Sequence, residues 1–205
     1  MRILRTKKRI AALSLTATAV ITLGAIQAEA LVLNVPVRGK ATQCLAPEAE
    51  RVLAAQKVQM ESIGSASVSG SCLTYTGTGT VSPKLTGGKI PIDGGMRFAN
   101  AGHRLEITNM TVNIKLGTGY TSADVSQDGA PRTNITLFSF PVSLSDVTFT
   151  PTTVETKGVP VSLAKAGDQA FTKAFGNDVA AAGSPLFIFR ARGEITSPLA
   201  NITGP

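Results

Sequence analysis

The stretch that decides the fold spans residues 94–116 and reads GGMRFANAGHRLEITNMTVNIKL. From residue 104 onward its side chains alternate, which is the period-two pattern of a β-strand. One face carries Leu105, Ile107, Asn109, Thr111 and Asn113, and the other, more apolar along its second half, carries Glu106, Thr108, Met110, Val112, Ile114 and Leu116. The pattern predicts one long strand over residues 104–116, with the second face packed on the core.

A hairpin is predicted around this strand. Residues 95–98 form the preceding strand, and Asn100 and Gly102 supply a turn that tolerates positive φ. His103, the only histidine of the chain, lies at the mouth of the hairpin. Any function that needs a histidine must therefore use this position.

Working outward, the alternation predicts many further short strands. They fall in residues 31–37, twice within 65–85, and in 89–92, 120–127, 133–144, 147–154, 158–161 and 186–195. In the first of these, Pro36 lacks a backbone N–H and belongs at an edge or a strand end. In residues 133–144, Pro141 indicates that the strand end leaves the ladder.

Two helices are predicted. The first spans residues 47–63, with Pro47 at its first turn, although residues 58–60 could instead begin a strand. The second spans residues 163–175, with Ser162 as its N-cap and Gly176 as its stop. The fold class is therefore mainly β, an antiparallel sandwich or partly closed barrel with one or two helices packed on it.

The N-terminal segment has the pattern of a signal peptide. Residues 1–9 contain five basic side chains, residues 10–26 are uncharged and mostly apolar, and Ala28 and Ala30 match a signal peptidase site. A retained membrane anchor is the rival interpretation. We expect cleavage after Ala30, a single β-rich domain over residues 31–195 and a poorly ordered tail over 196–205. The product would be secreted or associated with the cell envelope, with no transmembrane segment after cleavage.

The charge of the remaining chain argues against a nucleic-acid partner. The whole sequence has a net charge of +7, but the signal segment carries five of the twenty basic residues and one of the thirteen acidic ones. The other 175 residues therefore carry fifteen basic and twelve acidic side chains, a net charge of +3 without a basic cluster.

The two cysteines, Cys44 and Cys72, are predicted to form a disulfide, since bridges are typical of exported chains. The alternative is two unpaired thiols. A metal site is not predicted, because the sequence has no Cys-x-x-Cys motif and no pair of histidines.

Catalytic motifs are scarce. A Ser-His-Asp device would have to use His103, and no G-x-S-x-G elbow is present. Ser162 and Lys165 match S-x-x-K, but the partner motifs of the acylating enzymes are missing. We therefore predict that the chain is not an enzyme, and an exported hydrolase is the weakest hypothesis.

Three stretches resemble the HtaA-type domain of exported actinobacterial envelope proteins. They are F-x-x-x-G-H-x-L-x-I-x-N-x-x-V, starting at Phe98 and containing His103; S-A-D-V-S, starting at Ser122; and G-V-P-V-x-L-x-x-A-G-x-x-A-F, starting at Gly158. They occur in the family's order, and the resemblance covers roughly residues 85–195.

The resemblance implies a β-rich domain with a helix packed on its sheet, and several members of the family bind haem. In those members an upstream tyrosine ligates the iron, and the histidine of the G-H step, here His103, supports it by hydrogen bonding. The only tyrosines of this chain are Tyr75 and Tyr120, and neither stands at the family's ligand position. Haem capture by His103 and Tyr75 is thus one hypothesis. The structural alternative is that His103 is a turn residue bonded to the backbone.

The leading functional prediction is an exported, non-enzymatic binding or envelope-associated protein with an HtaA-like domain and an unidentified ligand. Haem binding or uptake is the alternative, and its cofactor residues would be His103 and Tyr75. A small molecule or an envelope protein is the expected class of partner.

Overall fold

The computed structural model describes residues 34–176 and 184–196. The predicted signal peptide lies outside these residues, as does the predicted tail apart from Thr196. The elements are β1 (Val35–Leu45), α1 (Pro47–Ala55), β2 (Gln59–Ile63), β3 (Ser67–Ser69), β4 (Cys72–Val81), β5 (Gly88–Asp93), β6 (Gly95–Ala99), β7 (Arg104–Ile114), β8 (Gly117–Gln127), β9 (Thr133–Val142), β10 (Val147–Phe149), β11 (Thr153–Leu163), α2 (Lys165–Phe175) and β12 (Pro185–Ile195).

Eight of the strands form a closed antiparallel barrel. Their order is β7-β5-β4-β1-β12-β11-β9-β8, and β8 pairs back onto β7. The prediction of a mainly β, antiparallel fold with two helices is confirmed, and the barrel is fully closed. Closure gives each strand of the ring a neighbour on both sides, and only the contact between β9 and β11 is short.

The barrel has two distinct halves. The upper half is the end that carries the β6–β7 turn, α1 and α2, and the lower half is the opposite end. Strands β6 and β5 lie one after the other along the same edge of β7, β6 in the upper half and β5 in the lower. Gly94, between them, has φ +89°, and a Cβ there would lie 2.7 Å from the backbone nitrogen of Ala66. Only glycine fits this kink.

A β-bulge in β7 overturns the predicted faces of the central strand. Asn109 has φ +51°, and the pairing with β8 shifts between Thr108 and Thr111. The extra residue reverses the alternation, so Leu105 and Met110 are both buried in the core. The predicted division into a core face and a solvent face is therefore wrong, because the apolar half of each predicted face points into the core.

The two halves have different cores. In the upper half, Phe98 lies 5.0 Å from Phe171 of α2 and 6.3 Å from Phe187 of β12, measured between ring centroids. These distances are typical of favourable aromatic pairs. The lower half has an aliphatic cluster of buried Val37, Val81, Leu85 and Val142.

The helices differ in part from the prediction. Helix α1 ends at Ala55, and residues 59–63 form β2, so the alternative of a strand beginning near residue 58 is the correct one. Ser162 is not the N-cap of α2: it lies in β11, paired with Ser139, and Ala164 precedes the helix without a side-chain cap. The backbone N–H of Ala164 donates to the carbonyl oxygen of Leu137 at 2.9 Å, which fixes the position where the chain enters the helix. Helix α2 ends as predicted before Gly176, which has φ +87°.

The strand predictions hold with adjusted bounds. Residues 147–161, predicted as two strands, form β10 and the first part of a continuous β11, which pair with each other.

The predicted Cys44–Cys72 bridge is present and joins directly opposed residues of β1 and β4. The segment that it encloses contains α1, β2 and β3.

Candidate functional site

The upper rim of the barrel brings together three segments that are distant in sequence. They are the β6–β7 turn, the β8–β9 turn and the last turn of α2. The Gln127 amide nitrogen donates to the Lys173 carbonyl oxygen at 3.2 Å, which ties the β8–β9 turn to the helix. We call this region the His103 rim, because His103 is its only imidazole.

The β6–β7 turn is held by Asn100. Its side-chain oxygen accepts hydrogen bonds from the backbone N–H groups of Gly102 at 3.0 Å and His103 at 2.9 Å. The backbone N–H of Asn100 also donates to the carbonyl oxygen of His103 at 2.9 Å. An Asx-type turn of this kind fixes the backbone of His103 relative to the barrel.

Asp128, in the β8–β9 turn, orients the imidazole. One carboxylate oxygen lies 3.1 Å from Nδ1 of His103, and the other accepts the backbone N–H of Arg104 at 2.7 Å. The bond from Arg104, followed by the bond from His103, lowers the pKa of Asp128 below its usual value. Asp128 is therefore ionised at neutral pH and can only accept a hydrogen bond.

This pairing determines which imidazole nitrogen is available. Because the carboxylate only accepts, Nδ1 of His103 carries the proton, and the lone pair of the neutral ring lies on Nε2. The His103 side chain is 53% exposed, and Nε2 has no hydrogen-bond partner among residues 34–176 and 184–196. The geometry thus presents an oriented nitrogen that can accept a proton or bind a metal.

Tyr75 is not part of this rim. It lies on β4 inside the barrel, 4% exposed, and its hydroxyl donates to Oε1 of Gln43 at 2.5 Å. Burial raises the pKa of Tyr75 above its ordinary value, so it is a neutral phenol. The structure therefore does not bring the two sequence-predicted cofactor residues together, and Tyr75 is not placed to act as a tyrosinate ligand beside His103.

Sequence reasoning missed Asp128 and Asn100. Asn100 is identified from the sequence only as a turn residue, and the sequence offers no spacing from which the pairing of His103 with Asp128 can be argued. The available signal was that two turns containing Asn or Asp and Gly, residues 100–102 and 128–129, flank strands that an antiparallel sheet could place side by side. Across the described ranges, no group of three or more His, Cys, Asp or Glu side chains could hold a metal ion.

A second cluster surrounds the β7 bulge. Asp124 accepts hydrogen bonds from the amide of Asn109 at 2.8 Å and from that of Asn134 at 2.7 Å, and these bonds lower its pKa. The cluster is explained by the bulge that it stabilises.

Among the described helices, neither is both long and apolar enough to cross a membrane.

Comparison with known proteins adds a family and a fold. The family model described as HtaA matches residues 52–184. Among curated protein sequences, none matches this chain.

Two solved structures are similar. The C-terminal domain of HtaA from Corynebacterium glutamicum is 17% identical, with a TM-score of 0.58, over 80% of this chain and 99% of that domain. The N-terminal domain of the same protein is 14% identical, with a TM-score of 0.56, over 78% of this chain and 98% of that domain. At these identities the likeness establishes the fold.

Proposed function

This chain belongs to the HtaA family, and we propose that it is a non-enzymatic binding protein that works outside the cell, either free or held at the envelope. The observation that carries the proposal is the His103 rim. It presents one oriented imidazole at an exposed edge of a closed barrel, with Asp128 as its only bonded partner in the described residues.

The surroundings of His103 favour binding over catalysis. A nucleophilic device needs a hydroxyl or thiol within hydrogen-bond reach of its base. In the described part of the chain, the imidazole bonds to a carboxylate and to no hydroxyl, and both cysteines are in the disulfide. The rim can hold a ligand, but it lacks the second group that a hydrolase would use.

The proposed location is supported by two features of the sequence and the fold. The first thirty residues have the pattern of a cleaved signal segment. The Cys44–Cys72 bridge is of the kind that persists in oxidising compartments.

Fractionation of the native cells, followed by mass spectrometry of the N-terminus, tests this location. We expect a chain that starts at Leu31 in the medium or the envelope fraction. A chain that keeps residues 1–30 in the cytosolic fraction would contradict the proposal.

Haem is the second candidate, and the observation that favours it is the orientation of Nε2 of His103. A neutral imidazole whose other nitrogen donates to a carboxylate is a typical ligand for haem iron. The residues fit in part: His103 would hold the iron, and Asp128 would fix the ring. Tyr75 does not fit, since its hydroxyl is buried and bonded to Gln43. A bound haem would supply an iron that can take an imidazole nitrogen as a ligand.

A haem titration followed by absorbance tests this candidate. We expect a saturable Soret band with the wild type at micromolar haem, and an altered or lost band in His103→Ala. Tyr75→Phe is the matched control and should leave the band unchanged. A wild-type titration without saturation would eliminate haem and leave the rim with another ligand, whereas a band that depends on Tyr75 and not on His103 would contradict the assigned site.

A further inference from the structure

The lower half of the barrel contains a cavity that the His103 rim does not use. Its volume is about 140 Å³, and side chains such as Val37, Ile90, Val112 and Val159 line it. Protein interiors are usually packed with few voids larger than a water molecule. A void of this size inside a closed barrel is therefore a site that can receive a ligand.

Most of the cavity wall is apolar, and two of its polar side chains are bonded to each other. Tyr75 and Gln43 both line the cavity, but the Tyr75 hydroxyl donates to Gln43, and the amide nitrogen of Gln43 lies 3.7 Å from the sulfur of Met96. Neither needs a hydrogen bond from a guest. The wall therefore selects an apolar group, because a polar one would lose its hydration without replacement.

The cavity is lined on one side by residues of β9 and β11, which border a seam in the barrel wall. In the described structure these strands are joined by two residue pairs only, Ser139 with Ser162 and Phe138 with Leu163, both in the upper half. Below them each strand carries a proline, Pro141 on β9 and Pro160 on β11, which cannot donate to a ladder.

The cavity lining extends to this seam. Pro141, Val159 and Val161 are part of it, together with Val147 at the start of β10. Strand β10 pairs with residues 154–156 of β11, so the unpaired part of the seam lies beside Val159 and Val161, and its walls are apolar.

Two exposed leucines mark the same end of the molecule. Leu116 is 49% exposed, and Leu144 is 55% exposed. Gly117 pairs with Val142, so the β7–β8 turn and the end of β9 lie next to each other at the mouth of the seam. An apolar guest approaching the entrance would meet these side chains first.

We propose that the lower half of the barrel binds the end of an unbranched hydrocarbon chain, the acyl tail of a fatty acid or a lipid, inserted through the β9–β11 seam. A cavity of 150 Å³ holds benzene, so the volume here accommodates roughly six carbon atoms. The rest of the tail passes through the seam and lies beside Leu144. This site is separate from the His103 rim, and its occupancy does not depend on the rim's ligand.

Tyrosine fluorescence provides a direct test, because the chain has no tryptophan and two tyrosines. Tyr75 lines the cavity, and Tyr120 is 43% exposed on β8. In a Tyr120→Phe background, Tyr75 is the sole emitter. Titration with ω-bromododecanoate, which carries its quencher at the tail end, should then give saturable quenching.

Two substitutions that add carbon atoms to the cavity lining should weaken binding of the tail to different degrees. Ala191→Leu adds three carbon atoms to the lining, which should weaken binding roughly 50-fold if each displaces one methylene of the tail. Gly193→Ala adds one, for roughly a fourfold loss, and its Cβ would lie 3.4 Å from Val154, an ordinary contact. Ala55→Leu, exposed at the end of α1, is the matched control.

The outcomes separate the possibilities. The proposal is supported if the quenching weakens more in Ala191→Leu than in Gly193→Ala and persists in Ala55→Leu. If Ala191→Leu does not fold, Gly193→Ala decides the test. Absence of saturable quenching in the folded background protein overturns it, as does quenching that neither filling substitution changes. Vesicles of lipid brominated near the acyl ends identify the source: quenching by them indicates a lipid tail, and quenching by the free acid alone indicates a fatty acid.

Discussion

The upper and lower halves of the barrel share seven of its eight strands, since β5 lies in the lower half alone, but they differ in their cores. The upper half is filled by the rings of Phe98, Phe138, Phe171 and Phe187, and its rim holds one polar side chain in a fixed direction. The lower half has mainly aliphatic side chains around a void, which the rings of Phe140 and Phe189 also border, and an incomplete ladder between two strands. A closed barrel can thus combine a rigid frame for a surface site with an adaptable interior.

Deleting Asn109, whose bulge lies where the two halves meet, should have the largest effect. The deletion would restore strict alternation and turn Met110, Val112 and Ile114 outward while Leu105 stays inside. At about 1.5–3 kcal/mol for each side chain, the loss of roughly 5–9 kcal/mol is comparable to the whole stability of a domain. Urea unfolding followed by circular dichroism should show no cooperative transition. Asn109→Gly, which keeps the positive φ, is the control and should unfold cooperatively.

The next largest effect is expected from removing an aromatic ring of the upper core. Phe98→Ala should destabilise the fold by about 3–5 kcal/mol, since Phe98 is fully buried against two other rings. Phe140→Ala in the lower half should cost less than about 2 kcal/mol, because that ring is partly exposed and already borders the cavity. Urea midpoints measure both. Equal losses would show that the lower half is packed as tightly as the upper.

The disulfide comes third, and it belongs to the upper half. Replacing Cys44 and Cys72 together by alanine should cost about 3.5 kcal/mol in the chain-entropy model for a separation of 28 residues. Amide hydrogen exchange should accelerate more in α1, β2 and β3, which the bridge encloses, than in the lower strands. The bridge itself is checked by intact mass: alkylation of both thiols without reductant would show that it does not form.

The smallest effect concerns Asp128, and it depends on pH. Its lowered pKa means that its contribution to stability is present above the ordinary pKa of an aspartate, near 3.8, and is lost as the pH falls through the folded value. The difference in urea midpoint between the wild type and Asp128→Asn should therefore be constant near neutral pH and shrink under acid conditions. A difference independent of pH would show that the carboxylate charge is not what holds the turn.

Much of the fold could be predicted from local pattern. The turn at Asn100, the stop at Gly176 and the Cys44–Cys72 pairing follow from conformational preference or chain chemistry, which single residues carry. Ring closure could not be predicted, because it depends on which strands become neighbours and on register. In the sequence the bulge is visible only as a shift of the apolar positions from odd to even residue numbers between Ile107 and Met110. A count that assumes strict alternation does not detect this shift.

The site could be predicted only in part. His103 was identifiable as the sole histidine at a turn, but its orientation depends on Asp128, twenty-five residues further along the chain. Tyr75 was chosen because tyrosines are few, and its burial against Gln43 is a property of the interior that composition does not reveal. The cavity left no sequence signal, since valines that line a void and valines that fill a core are the same residues.

The position of β1 has a consequence for how the molecule is made. Strand β1 pairs on one side with β4 and on the other with β12, the last of the described strands. Its second edge stays uncovered until β12 pairs with it, so closure is a late event of folding built on non-local contacts. Both cysteines lie in the first half of the sequence, so the bridge can join β1 to β4 before β12 pairs with the other edge of β1.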